Sequence, residues 1–269
     1  MSFLTKTPRL LRKPAFGIAS LRSAFPQQQQ QQRSVKIAAA VHDDISSTST
    51  SSSSSSPSPS STPGKEPFLT PTPAQQQHKI DTVISNLPIV QSLRHDHTFK
   101  ESRPHLTMPP ALRGTHFVGG AITGSGKVTV APYMFTSKKS STTNANTRVV
   151  SLFHIGSELC GHPGFVHGGL LSVMFDEAFA RCVSASFPSG LGMTANLNVD
   201  FRKPATPDRV YVLRAETVKV EGRKAWVEGK MTCLSAVGRE DSEAVMVAEA
   251  RALFIEPKFA ESMVPLYRN

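Results

Sequence analysis

One apolar stretch of helical length, Leu170 to Val183, stands among six segments with the signature of strands. Val128 to Phe135 and Arg148 to His154 precede it, separated by a Ser/Thr/Asn loop from Ser137 to Thr147. Thr194 to Arg202, Val210 to Val220, Ala225 to Leu234 and Ala244 to Ile255 follow it, each rich in β-formers or alternating with period two. Glu221-Gly222-Arg223-Lys224 reads as a hairpin turn, because Gly222 can take the positive φ such a turn needs. Two strands, a helix and four strands are not the βαβ alternation of a parallel sheet. The order predicts an α+β fold over residues 127–257, one long helix shared by a curved antiparallel sheet of about six strands.

The helix is apolar around most of its circumference, with Leu170, Leu171, Met174, Phe175, Ala178, Phe179, Cys182 and Val183 covering it, as suits a helix enclosed by a sheet. Glu177 and Arg181, four apart, share one narrow face and are expected to pair in solvent. Asp176 lies roughly 100° away from Glu177 and points into apolar surroundings or a seam between subunits. A carboxylate there must be paired, hydrogen-bonded or shifted in pKa, since burying a bare charge costs several kcal/mol. Cys182, by contrast, reads as core: nothing around it in the sequence would lower its pKa.

Gly161-His162-Pro163-Gly164-Phe165-Val166-His167-Gly168-Gly169 runs straight into this helix. Two glycines leave backbone N–H groups unobstructed at the positive end of the helix dipole, where a developing oxyanion can sit. An HGG tripeptide alone is a weak signal, because glycine pairs occur in many turns. With Asp176 nine residues after His167 on the same helix it becomes specific.

The N-terminal half is built differently. The first 42 residues carry Lys6, Arg9, Arg12, Lys13, Arg22, Arg33 and Lys36 and no acidic residue, the makeup of a mitochondrial presequence. Those seven cations supply most of the net charge of +10, so the basic balance gives no reason to expect a nucleic-acid partner. Residues 43–78, rich in Ser, Pro and Gln, lack the apolar side chains needed to offset the entropy of ordering and read as a disordered linker. Residues 79–126 read as an extension. Ile80, Val83, Ile84, Leu87 and Val90 predict a short helix that Pro88 ends or kinks, and the Pro- and Gly-containing stretch from Arg103 to Gly126 predicts irregular packing. Residues 258–269 are left as a tail. No run approaches the roughly 20 apolar residues of a membrane span, so a soluble organelle protein is expected. Cys160, Cys182 and Cys233 show no CxxC spacing and read as free thiols in a reducing compartment, and no metal or cofactor is implied.

From about His162 to Pro257 the chain resembles the hotdog-fold acyl-CoA thioesterases of the HGG type, most closely the branch of thioesterase superfamily members 4 and 5. The resemblance is carried, in order, by Gly164-Phe165-Val166-His167-Gly168-Gly169, by Asp176, by Thr194-Ala195-Asn196-Leu197-Asn198-Val199-Asp200-Phe201-Arg202-Lys203-Pro204, by Glu221-Gly222-Arg223-Lys224 and by Glu249-Ala250-Arg251-Ala252-Leu253-Phe254-Ile255. It implies a hotdog homodimer or dimer of dimers, with active sites at the seam between subunits, hydrolysing fatty acyl-CoA to free acid and CoA, while the basic leader points to the mitochondrial matrix. Asp176 would be general base or nucleophile. Gly169 and Gly168 would donate to the thioester oxygen, His167 would orient the loop or the carbonyl, and Thr194 would position the attacking water. One base and one oxyanion donor can suffice for an electrophilic thioester. Asn196, Arg202, Lys203, Arg223 and Lys224 are the candidates for binding substrate, the four cations for the phosphates of CoA.

Strand phase adds a condition. Ala195, Leu197, Val199 and Phe201 form one face of their strand and Thr194, Asn196, Asn198, Asp200 and Arg202 the other. Thr194 is therefore expected opposite the core, at the seam or the strand end, and not in the pocket of its own subunit's helix. Two other readings stand beside hydrolysis: a hotdog enoyl-CoA hydratase, which would need an Asp and His pair, and a non-catalytic acyl-CoA-binding or protein-binding module.

Overall fold

The computed structural model describes residues 71–138, 146–234 and 244–263. The basic N-terminal stretch expected to be a leader, most of the Ser/Pro/Gln tract and the body of the loop between residues 137 and 147 lie outside the described residues. Within them, no helix is long and apolar enough to cross a membrane.

The first helix, α1 (Pro73–Ser85), starts earlier than the expected boundary at residue 79. Thr72 and Gln75 form a reciprocal capping box, and Pro73 sits in the first turn, where its missing N–H costs nothing. Helix α2 (Pro88–His95) follows after a break, because a residue before proline is driven out of the helical region. Ile84 and Val90, both fully buried, pack with Tyr133, Phe135, Val150 and Leu152 in a cluster of their own. Next comes β1 (Phe99–Ser102), a strand without a sequence signal because three of its four residues are polar. Two single turns, α3 (Pro104–Thr107) and α4 (Pro110–Arg113), and a π-helical turn at Phe117–Ala121 complete the extension.

After the extension come β2 (Tyr133–Ser137), β3 (Arg148–Ile155), β4 (Cys160–His162), β5 (Phe165–Val166), α5 (Gly168–Ser184), β6 (Met193–Phe201), β7 (Arg209–Glu221), β8 (Lys224–Cys233) and β9 (Val245–Ile255). Seven strands make one antiparallel sheet in the order β1-β2-β3-β7-β8-β9-β6, while β4 and β5 form a separate ribbon ahead of α5. The sheet is thus one strand wider than expected, β1 being the addition. The expected strand from Val128 to Phe135 shortens to β2, since Pro132 cannot donate to a ladder and Val128 makes only isolated bridges to Thr123 and Ile155.

Helix α5 lies against one face of the sheet. Phe175, Phe179, Phe153, Tyr211, Leu213, Val227 and Phe254 form the centre of the main core. Phe179 packs onto the backbone of β8 at Gly229, where a Cβ would stand 2.6 Å from the ring and 2.7 Å from the Arg214 carbonyl oxygen. At Gly222 the β7–β8 hairpin turns with φ of +54°. Strand β6 is the outer strand next to β9, and its free edge exposes Met193 and Phe201.

Candidate active site

The ribbon β4–β5 delivers the chain to α5 through Gly164, whose φ of +80° closes the turn. His167 then caps the helix: its Nδ1 accepts the Gly169 N–H at 2.9 Å, and its own N–H donates to the Leu159 carbonyl at 3.0 Å. A ring nitrogen that accepts carries no proton, so neutral His167 holds its hydrogen on Nε2. The imidazole occupies the space that side chains at positions 161 and 169 would need. A Cβ on Gly161 would lie 2.7 Å from His167 Cδ2, and one on Gly169 would lie 2.9 Å from Cε1 and Nδ1. The HGG pattern therefore serves the cap first. Gly169 commits its N–H to His167 and is not open to a substrate oxygen, contrary to the expectation from sequence. The Gly168 N–H, at the first position of α5, has no acceptor among the described residues.

Asp176, two turns further along α5 and partly buried, accepts the Thr194 hydroxyl at 2.6 Å. Strand phase had turned Thr194 away from its own helix, and a bulge corrects it. In the β6–β9 ladder Thr194 pairs with Phe254 and Asn196 with Leu253, which leaves Ala195 as the extra residue. One inserted residue reverses the alternation, so Thr194 shares the helix-facing side with Leu197 and Val199. Leu197 and Val199 pack against the main core, while Ala195 and Asn196 are exposed.

Glu177 departs from expectation in the other direction. It was assigned to a solvent-facing stripe, yet its side chain is only 16% exposed because the extension lies over it. His105 Nε2 sits 2.9 Å from Glu177 Oε1, and His116 Nε2 lies 4.0 Å from Oε2. The Nδ1 of His116 accepts the Gly119 N–H at 2.9 Å, which puts the ring proton on Nε2, facing the carboxylate. Burial lowers the pKa of His116, with the Glu177 charge acting against it, so the ring favours its neutral form and turns its Nε2 toward the carboxylate at 4.0 Å, too far for a hydrogen bond. The three groups converge within 4.8 Å and have the composition of a metal site. The proton on Nε2 of His116 removes the lone pair that a metal would take. Neither histidine stood out in the sequence, since His105 lies 72 positions before Glu177 in an irregular segment.

Three elements meet around a cavity of about 410 Å³: Phe117 and Val118 of the extension, Val173 and Asp176 of α5, and Thr194 and Leu197 of β6. A larger cavity of about 660 Å³ lies among the outward-facing Arg214, Glu228, Lys230 and Arg251 of the sheet, and none of the expected catalytic residues lines it.

The proposed CoA-binding cations fall into two groups. Arg202 and Lys203 follow Phe201, whose ring would be 3.4 Å from a Cβ on Gly168, so they lie at the N-terminal end of α5. Arg223 and Lys224 lie at the other end of β9, where Lys224 and Met193 both pair with Ile255. Arg202 is already engaged by Glu249, its Nε donating at 2.9 Å, and that contact holds the Glu249 pKa below the usual carboxylate range. Arg223 donates to the Glu256 carbonyl at 2.9 Å. Lys203, Lys224 and Asn196 are exposed. Cys182 is fully buried, and burial pushes its thiol up to about 11, which excludes it as a nucleophile at neutral pH.

The sequence model of the thioesterase superfamily matches residues 163–236. An uncharacterized protein of Schizosaccharomyces pombe is 38% identical over 130 residues, covering 48% of this chain and 69% of the relative. A Candida albicans protein, described as uncharacterized and mitochondrial, is 26% identical over 169 residues, covering 63% of this chain and 72% of the relative. The rat acyl-coenzyme A thioesterase THEM4 is 38% identical over 112 residues, which is 42% of this chain and 44% of the rat protein. The chain belongs to the thioesterase superfamily.

Proposed function

We propose that this member of the thioesterase superfamily hydrolyses the thioester of an acyl-CoA to the free acid and CoA, with Asp176 as its catalytic carboxylate. The observation that carries the reading is the 2.6 Å hydrogen bond from Thr194 to Asp176 at a cavity walled on one side by Phe117, Val118, Val173 and Leu197. Thr194 occupies Oδ1 and orients the group, which leaves Oδ2 to take a proton from water as the water oxygen attacks the thioester carbonyl. The Gly168 N–H and the dipole of α5 would stabilise the resulting oxyanion. Collapse of that intermediate breaks the C–S bond, and the departing thiolate is protonated.

Asp176 and Gly168 of one chain cannot serve the same carbonyl. Eight residues of α-helix separate them by ~12 Å at 1.5 Å per residue. Strand β6 runs antiparallel beside the helix, with Thr194 near Asp176 and Phe201 near Gly168. Antiparallel pairing of the free β6 edges of two copies would bring the acid end of one next to the glycine end of the other. We therefore read the working unit as a dimer with two composite sites. The acid-free basic leader and the mitochondrial relative support placing the protein in the mitochondrial matrix.

Purified chain assayed for thiol release from a panel of acyl-CoAs tests the reaction. Asp176→Asn should abolish turnover while the protein stays folded, and unchanged turnover would remove Asp176 from the mechanism. A single turnover in ¹⁸O-water separates its two possible roles, since a general base puts label into the product acid and a nucleophile takes label into Asp176.

A further inference from the structure

We propose that the N-terminal extension is a selectivity element of the acyl site: Phe117 and Val118 form the wall that bounds the acyl chain, and His105 and His116 latch that wall to Glu177. The inference rests on the reading of Asp176 as the catalytic carboxylate, because the wall faces the cavity that Asp176 and Thr194 line.

The chemistry of the cavity identifies the part of the substrate it takes. No lysine or arginine lines it, so it does not suit the phosphates of CoA. Asp176 and Thr194, with Ser172, Glu177 and His116, line it together with the apolar Phe117, Val118, Val173 and Leu197, an arrangement that matches a thioester carbonyl at the polar groups with hydrocarbon leading away over the apolar ones. Two of the three contributing elements, α5 and β6, belong to the segment matched by the superfamily. The third comes from residues ahead of that segment, so it can differ among proteins that share the catalytic pair.

The wall is held in a defined place. Val118 is 2% exposed and anchors in the main core, whereas neighbouring Phe117 is 55% exposed and lines the cavity. The turn that carries them closes tightly, since a Cβ on Gly120 would fall 2.1 Å from the Arg113 carbonyl oxygen. His105 at 2.9 Å and His116 at 4.0 Å both direct Nε2 at Glu177, the residue next to Asp176. Contact with two imidazoles occupies Glu177 and sets the position of the wall on the catalytic helix itself. Movement of the latch therefore changes the shape of the acyl seat without touching Asp176.

Burial of a methylene is worth ~0.8 kcal/mol, so each acyl CH₂ seated against or excluded by the wall should alter kcat/KM about fourfold. The test uses the full chain with butyryl-, octanoyl- and palmitoyl-CoA, with folding followed by thermal melting. Phe117→Ala should raise palmitoyl relative to butyryl kcat/KM by about tenfold or more, and Phe117→Trp should shift the ratio the other way. Glu177→Ala, which removes both oxygens facing the two imidazoles and so releases the latch, should move the ratio in the same direction as Phe117→Ala, and an unmoved ratio in a folded Glu177→Ala protein overturns the latch. If both Phe117 variants melt like the wild type and keep its chain-length profile, the wall proposal is overturned. Should a variant fail to fold, the other Phe117 variant decides. Asp176→Asn in the same panel keeps the two readings apart: full activity there removes the catalytic assignment, whereas loss of activity with an unmoved profile at Phe117 removes only the wall.

Discussion

Replacing Thr194 by Val tests the Thr194–Asp176 contact with one nearly shape-preserving change. The two side chains are nearly isosteric, both are β-branched and suit a strand, and Thr194 is exposed at the rim of the site. The substitution removes one donor, the hydroxyl 2.6 Å from Asp176 Oδ1. A hydrogen bond to a charged group contributes about 1.5–3 kcal/mol. If that bond holds the carboxylate in the orientation the transition state needs, kcat should fall roughly ten- to a hundredfold at 1.36 kcal/mol per decade, with KM little changed. The same bond also contributes to folding, so stability should fall by no more than about 1.5–3 kcal/mol, and activity is compared well below each protein's Tm. Thr194→Ser keeps the hydroxyl and should recover most of the loss. The assay is steady-state thiol release on an acyl-CoA, with melting curves alongside. A Thr194→Val protein whose kcat stays within about twofold of wild type would refute the argument that this contact orients the catalytic group.

Three further outcomes follow from the packing and the titrating groups. Gly229→Ala places a methyl 2.6 Å from the Phe179 ring and 2.7 Å from the Arg214 carbonyl, and should cost about 1–3 kcal/mol, read as a fall of several degrees in Tm; an unchanged Tm would contradict the close helix-to-sheet approach. Cys182, with its thiol near 11, should resist a disulfide reagent at about pH 8 in the native protein and react once denatured, and rapid native labelling would show the core is open there. His154, buried and bonded to Thr129 at 2.8 Å, has its pKa lowered from 6.5 by burial. The unfolded chain therefore takes up protons first, so the stability held above about pH 6.5 is lost as pH falls below that value; His154→Gln should flatten the decline of Tm between about pH 7 and 5, and an identical slope would exclude His154 as a source.

Much of this molecule was legible in its sequence. The helix from Leu170 to Val183 and the strands after it announced themselves because their side chains face one large core, and a core imposes its period on the chain that lines it. Pro88 and Gly222 marked a break and a turn through their own backbone limits. Asp176 was identifiable as a carboxylate on an apolar helix, since a local pattern suffices to show that anomaly.

What surrounds Asp176 depended on tertiary structure. A single extra residue at Ala195 turned Thr194 inward, and the unbroken alternation from Thr194 to Arg202 carries no mark of that bulge. The His167 ring claimed the Gly169 N–H, although the tripeptide alone allowed both glycines to serve a substrate. Glu177 lies under His105 and His116 because a segment far ahead in the chain folds over it, and no periodicity within α5 can register a neighbour from outside the helix. Short-range pattern and burial, both written in the residues, set the scaffold and exposed Asp176 as a carboxylate out of place on an apolar helix. Only the folded chain decided which groups that carboxylate meets, because those contacts join residues that sequence order keeps apart.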